Sequence, residues 1–166
     1  MSVSLFDAAS PNPADAFPLR CATGNLCAGR TAGTPWVKAP ADAYGARCVI
    51  VDDNDRFVHA LSELLVRDGF DVVGTACDRT QGLWLAAEMC PDVALIDLCL
   101  GRESGVELIA DFVRLGLAPQ MFMILVSSWA EDDLRELYGL SDADGYLSKM
   151  GLSGGAVRDM LCALGA

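Results

Sequence analysis

From residue 47 onward, short apolar runs alternate with longer segments in which apolar residues recur at helical spacing. The apolar runs are four to seven residues long and several are nearly uninterrupted, which is typical of strands whose two faces are both covered by helices. The pattern therefore predicts an α/β fold: a doubly wound, five-stranded parallel sheet built from five strand–helix units. The predicted strands are 47–52, 70–76, 92–97, 121–126 and 145–148, and the predicted helices are about 55–68, 78–89, 106–115, 130–138 and 153–164.

Two of these helices carry more detailed expectations. In the first, Asp55 is expected to cap the start and Gly69 to follow the end, where a glycine accommodates a left-handed backbone. In the second, Leu83, Trp84 and Ala87 are expected to face the sheet.

Residues 1–45 differ in composition from the remainder of the chain. They contain most of the prolines together with many glycines and alanines, and they show no sustained periodicity. We expect a mostly disordered N-terminal extension over 1–45, to which no function is assigned, and one folded domain over 46–166.

Charge and apolar run length exclude several classes of function. The formal net charge of −11 falls on the folded domain, because basic and acidic residues balance within 1–45. So acidic a domain repels a phosphate backbone, and direct binding of nucleic acid is not expected. The longest apolar run, 121–126, is too short to span a membrane, and no signal peptide is recognised. No cysteine pair has the C-x-x-C spacing of a zinc or redox site. We therefore expect packed, reduced thiols and a cytoplasmic protein.

Polar side chains stand at the ends of four predicted strands. Asp52 and Asp53 end the first strand, Asp97 the third, Ser127 the fourth and Lys149 the fifth. The carboxyl ends of parallel strands gather at one edge of an open α/β sheet, and ligands bind there. Each residue alone is also compatible with a helix cap or a solvated turn, but the combination predicts a site for a divalent cation and a phosphoryl group.

The chemistry of these residue types supports that interpretation. Three adjacent carboxylates repel one another, and Mg²⁺ suits a site with few carboxylates, several waters and a phosphate oxygen. Asp97 ends the central strand and is best placed as a nucleophile that takes a phosphoryl group covalently. Ser127 and Lys149 could then contact phosphoryl oxygens.

The chain resembles the response regulator receiver domain, the family that includes the chemotaxis protein CheY. The resemblance covers about residues 47–164 and rests on separations of 44, 30 and 22 residues between Asp53, Asp97, Ser127 and Lys149. It implies a flavodoxin-like strand order of 2-1-3-4-5. It also implies that Asp97 is the phosphoacceptor, that a sensor histidine kinase or a phosphotransfer protein is the donor, and that Mg²⁺ is the cofactor.

The resemblance implies roles for further residues as well. Asp53 would bind Mg²⁺ directly and Asp52 mostly through water, with Asp97 and the backbone carbonyl of Cys99 completing the ligands. Ser127 and Tyr146 would form the switch, and Gly105 would close the loop after the phosphoacceptor.

Two of the departures from the family pattern concern proline. Gly101 and Met150 stand where members commonly have proline. We expect a more mobile loop after Asp97, and a trans peptide bond before Met150.

The expected function is that of a receiver that signals by phosphorylation-dependent contact with a downstream protein, without a DNA-binding output domain. A phosphorelay shuttle is the alternative within this class. An aspartate-nucleophile, metal-dependent phosphatase is an alternative from another class; such enzymes need an acid two residues after the nucleophile, and Cys99 occupies that position. The resemblance leaves the oligomeric state open, and a homodimer is compatible with it.

Overall fold

The computed structural model describes residues 45–129 and 141–165. The predicted helix over 130–138 and nearly all of the predicted extension over 1–45 lie outside the described residues. No helix within the described part of the chain is both long and apolar enough to cross a bilayer.

The described residues form seven strands and four α-helices. The helices are α1 (Asp55–Arg67), α2 (Arg79–Met89), α3 (Gly105–Arg114) and α4 (Gly154–Gly165), and a single 3₁₀ turn spans Ala118–Gln120. The strands are β1 (Arg47–Val51), β2 (Asp71–Ala76), β3 (Val93–Asp97), β4 (Cys99–Leu100), β5 (Glu103–Ser104), β6 (Phe122–Ser127) and β7 (Gly145–Ser148).

Five of these strands make one parallel sheet in the order β2-β1-β3-β6-β7. Since β4 and β5 form a separate small hairpin, this order is the expected 2-1-3-4-5, and the predicted doubly wound α/β fold is confirmed. The register brings the strand ends level: Asp97 pairs with Val126, and Ser127 pairs with Ser148. The polar residues that follow these strands consequently meet at one edge.

Alternate residues of the strands point to opposite faces of the sheet and pack into two separate apolar cores. Val49, Ala94 and Met123 face a core shared with α2 and α3. Their neighbours Ile50, Leu95 and Ile124 face a second core shared with α1 and α4. Both faces of the central strands are thus buried, which accounts for their nearly continuous apolar sequence.

The start of α1 differs from the prediction. Asn54, and not Asp55, is the N-cap, and its side-chain oxygen accepts a hydrogen bond from the backbone N–H of Phe57 at 3.3 Å. Asp55 lies in the first turn, where its charge is favourable for the helix dipole. The expected role of Gly69 is confirmed, because its φ of +91° lies in the left-handed region.

Trp84 does not pack against the sheet as expected; its relative exposure is 54%. The reason is the close approach of Gly82, where an added Cβ would lie 3.1 Å from Leu108 and 3.3 Å from Val51. With Gly82 turned toward the core, a residue two positions later points away from it. Leu83 is buried, as predicted.

The segment after Asp97 is a tight hairpin, and not only a polar loop. Cys99 pairs with Ser104 and Leu100 with Glu103, leaving a two-residue turn. Gly101 takes φ +63° at the first turn position, the conformation for which glycine is favoured in such hairpins. No described peptide bond is cis, so the predicted trans bond before Met150 is confirmed.

Gly105 is required by the close approach of α3 to β3. A Cβ on Gly105 would overlap the carbonyl oxygen of Asp97 and lie 3.0 Å from a methyl carbon of Ile96. We expect Gly105→Ala to lower the free energy of unfolding by about 1–3 kcal/mol, the usual cost of overpacking. Chemical denaturation measures this change. The matched control is Gly155→Ala in α4, where the nearest atom is Ser153 Oγ at 3.7 Å; there alanine should stabilise the helix by about 0.5–1 kcal/mol. Equal effects at both glycines would contradict the packing argument.

Candidate functional site

Three carboxylates converge at the carboxyl edge of the sheet. Asp52 directly follows β1, Asp53 comes next, and Asp97 is the last residue of β3. Each offers an oxygen within 4.8 Å of the other two. Asp52 and Asp97 are 2% and 8% exposed, whereas Asp53 is exposed. The structure therefore brings together the carboxylates that the sequence placed at separate strand ends.

The backbone fixes Asp52 firmly. Its N–H donates to the carbonyl oxygen of Ala76 at 2.9 Å, which continues the β1–β2 pairing beyond the last strand residue. Its Oδ1 accepts the backbone N–H of Asn54 at 2.9 Å. Oδ2 lies against a cation at ion-pair distance.

That cation is the ammonium group of Lys149. Nζ lies 2.6 Å from Asp52 Oδ2 and 3.0 Å from Asp97 Oδ2. The backbone N–H of Lys149 donates to the carbonyl oxygen of Ser127 at 2.8 Å, so the lysine leaves the sheet in a fixed position. The ammonium also lies over the ring of Phe57, with Nζ 4.5 Å from the ring centroid.

Burial and these contacts shift two pKa values. Burial raises the pKa of the Asp97 carboxyl, and the charge of Asp52 adds to the rise, against the opposing hydrogen bond from Lys149. Burial alone would lower the pKa of Lys149, but its contacts with Asp52 and Asp97 outweigh burial and raise it. The ammonium is thus held in its charged form.

Ser127 and Tyr146 lie beside this cluster. Ser127 is buried at the end of β6, and its Oγ accepts the backbone N–H of Trp129 at 3.1 Å. The Tyr146 hydroxyl lies 3.3 Å from the carbonyl oxygen of Ser127 and 3.2 Å from that of Trp129. The proposed switch residues are therefore joined through the backbone between 127 and 129.

The donor set of this cluster suits a hard divalent cation. Carboxylate oxygens are the ligands that Mg²⁺ prefers. Lys149 can balance one of the three negative charges, which leaves two for a divalent ion. A carboxylate oxygen has more than one lone pair, so Asp52 Oδ2 can contact Lys149 and a metal ion together. Asp52, Asp53 and Asp97 would hold the ion, and the part assigned to the Cys99 carbonyl stays a prediction.

Two residues of the site were missed from the sequence. Asn54 could have been found, because it directly precedes a predicted helix and asparagine is a favoured N-cap. Phe57 could not, since its position in the apolar stripe of α1 gives no sign that a lysine 92 residues later lies over its ring.

Comparison with known proteins agrees with this geometry. The family model for the response regulator receiver domain matches residues 48–153. A putative transcriptional regulator of Pseudomonas aeruginosa is 31% identical over 104 residues, covering 63% of this chain and 49% of that protein. The transcriptional regulatory protein PdtaR of Mycobacterium tuberculosis is 26% identical over 110 residues, covering 66% of this chain and 52% of that protein.

Solved structures show the same likeness. The receiver domain of the putative response regulator NarL from Mycobacterium tuberculosis is 26% identical, with a TM-score of 0.62 over 70% of this chain and 96% of that chain. A response regulator from Burkholderia pseudomallei, solved with a phosphorylated aspartic acid, a calcium ion and citrate, is 27% identical, with a TM-score of 0.61 over 70% of this chain and 66% of that chain.

The chain belongs to the response regulator receiver domain family of two-component systems. It spans about half the length of the curated relatives it matches, and these include transcriptional regulators. The expectation that no DNA-binding output domain accompanies this receiver stays a prediction.

Because the pKa of Asp97 is raised, replacing its carboxyl group with a neutral side chain should stabilise the protein in a pH-dependent way. Because the folded state holds the Asp97 proton more tightly than the unfolded state, ionisation destabilises the fold as the pH rises above the ordinary value of 3.8. We expect Asp97→Asn to raise the free energy of unfolding at pH 7, with the gain vanishing below pH 3.8, where Asp97 is protonated in both states. Urea denaturation from pH 3 to 8 measures this difference. Asp71→Asn, which replaces an exposed carboxylate at the opposite edge of the sheet, is the control; a destabilised Asp97→Asn at pH 7 would contradict the prediction.

A divalent cation should stabilise the folded protein through the same cluster. Ligand binding at 100 times its dissociation constant contributes about 2.7 kcal/mol. We expect Mg²⁺ to raise the Tm of the unmodified protein, and to raise that of Asp53→Asn much less. Asp55→Asn changes a nearby exposed carboxylate outside the cluster and should keep the full response. Identical Mg²⁺ responses in all three proteins would place the ion elsewhere.

Proposed function

We propose that this receiver takes a phosphoryl group onto Asp97 from a phosphohistidine, and that it signals by phosphorylation-dependent contact with another protein. The observation that carries the proposal is the arrangement of Asp97: a nearly buried carboxylate within 4.8 Å of two further carboxylates and 3.0 Å from an ammonium group. Membership of the receiver family supports the same chemistry. The donor would be a sensor histidine kinase or a phosphotransfer protein.

In the transfer step, an Asp97 carboxylate oxygen attacks the phosphorus in line with the phosphorus–nitrogen bond of the donor. The oxygen–phosphorus bond forms as the phosphorus–nitrogen bond breaks, and the electron pair leaves with the imidazole nitrogen, which is then protonated. Lys149 would pair with one phosphoryl oxygen. Ser127, at the end of the neighbouring strand, would donate its hydroxyl to another. Mg²⁺, when bound, supplies charge neutralisation for the transferring group.

The hydrogen bonds around Ser127 suggest how phosphorylation reaches the surface. If the Ser127 hydroxyl turns toward a phosphoryl oxygen, it loses its hydrogen bond from the backbone N–H of Trp129. The carbonyl oxygens of Ser127 and Trp129 are also the acceptors for the Tyr146 hydroxyl. A new charge-assisted contact at Ser127 thereby shifts Tyr146, β7 and the surface beside them. This is a two-state element biased by a covalent modification.

The remaining expectations belong to the same proposal. The protein would act in the cytoplasm, and the receiver itself would not contact nucleic acid, since its net charge is strongly negative. A homodimer is compatible with the proposal, and the downstream protein is left unnamed.

Labelling with phosphoramidate tests the transfer directly, because its phosphorus–nitrogen bond resembles that of phosphohistidine. With Mg²⁺ present, we expect one phosphoryl group per chain, with the modified peptide containing Asp97. Asp97→Asn should abolish labelling, Asp53→Asn or chelation of the metal should slow it at least tenfold, and Asp55→Asn should leave it unchanged.

Two outcomes would overturn the proposal: retention of the label by Asp97→Asn, or turnover of phosphoesters with no covalent intermediate. A pull-down that compares the phosphorylated and unphosphorylated proteins then tests signalling by protein contact. Capture of the same partners by both forms would refute that part.

A further inference from the structure

Lys149 has an aromatic neighbour in addition to its two carboxylates. Nζ lies 4.5 Å from the centroid of the Phe57 ring, within the range of about 6 Å over which a ring face attracts a cation. The Lys149 side chain is only 15% exposed. Cation–π attraction strengthens when the cation is withdrawn from water, so this geometry favours a substantial interaction.

The position of the ring is built into the first turn of α1. The backbone N–H of Phe57 donates to Asn54 Oδ1 at 3.3 Å, and the backbone N–H of Asn54 donates to Asp52 Oδ1 at 2.9 Å. The other oxygen of Asp52 lies 2.6 Å from Lys149 Nζ. These contacts form a closed circuit through Asp52, Asn54, Phe57 and Lys149. One turn of backbone therefore fixes the positions of both the Asp52 carboxylate and the Phe57 ring.

The ring differs from the carboxylates in one respect that matters for chemistry. Asp52 attracts the ammonium less strongly once it also binds a cation. The Asp97 carboxylate attracts it less strongly once it carries a phosphoryl group. The attraction of the Phe57 ring depends on neither change. Of these three neighbours, the ring alone keeps its attraction for Lys149 throughout such a reaction.

We propose that Phe57 is a positioning residue: its ring holds the Lys149 ammonium at the phosphoryl site while the charges of Asp52 and Asp97 change. The proposal rests on the proposed function of Asp97 and Lys149. A competing explanation is apolar packing, since Phe57 also lies against the core shared by α1 and α4. The electrostatics of the ring distinguish the two, because packing does not depend on the charge distribution of the ring face.

Progressive fluorination of the ring is the sharpest test. Fluorine withdraws electron density from the ring face while changing its shape little. We expect the rate of phosphoramidate labelling to fall stepwise with 4-fluoro-, 3,5-difluoro- and 3,4,5-trifluorophenylalanine at position 57. With the trifluoro ring, the rate should be about tenfold lower than in the unmodified protein. The matched control is the same series at position 70, where a core phenylalanine faces the guanidinium of Arg158 at 5.6 Å. The control series should leave the labelling rate unchanged.

A second measurement needs neither metal nor phosphoryl donor. The Lys149 side-chain methylene protons should show upfield, ring-shifted NMR resonances in the unmodified protein and in Phe57→Tyr, but not in Phe57→Leu. The labelling rate should follow the same order, with Tyr close to the original and Leu about tenfold slower.

The outcomes separate this proposal from the proposed function. If the unmodified protein is not labelled at all, the proposed function fails. If it is labelled, but the two fluorinated series give equal rates and Phe57→Leu matches Phe57→Tyr, then Phe57 is only a packing residue and the positioning role is refuted.

Discussion

The candidate site depends on the convergence of three carboxylates at one edge of the sheet, with the ammonium group of Lys149 to offset them. Asp52 and Asp97 are nearly buried, and like charges in such surroundings repel strongly. Lys149 relieves part of this repulsion by contacting both. It does so from β7, which is separated from β1 by two intervening strands. The site therefore exists only when the sheet is assembled in this order.

The surroundings of the site combine closely packed elements with a hydrogen-bonded stretch of backbone after β6. Gly105 lets α3 approach the backbone of Asp97, and the Asn54 cap holds the turn that carries Asp52. Beside these elements, the Ser127 hydroxyl and the Tyr146 hydroxyl both contact a short stretch of backbone after β6. The proposed transfer to Asp97 would use both features: carboxylates held in place beside the incoming group, and a hydroxyl that can exchange one hydrogen bond for another.

The periodicity of apolar residues was sufficient to predict the five strands of the sheet and the four described helices, within one residue at their ends. It succeeded because the strands are buried on both faces and the helices on one, so each has a distinct pattern. The strand-end positions of Asp52, Asp97, Ser127 and Lys149 likewise predicted a shared edge. The strand order itself came from the family resemblance, since periodicity does not specify which strands are neighbours.

The failures have physical causes. Trp84 was expected inward because it is apolar, but the close approach of Gly82 to Val51 and Leu108 set the rotation of α2 and turned the tryptophan outward. The contact between Phe57 and Lys149 joins residues far apart in the chain, and no local pattern encodes it. The sequence alone thus determined which residue types stand at the ends of the strands, because burial dictates where apolar runs stop. Only the tertiary structure decided how those residues pair, because distances between side chains depend on strand order, helix rotation and the backbone turns that carry them.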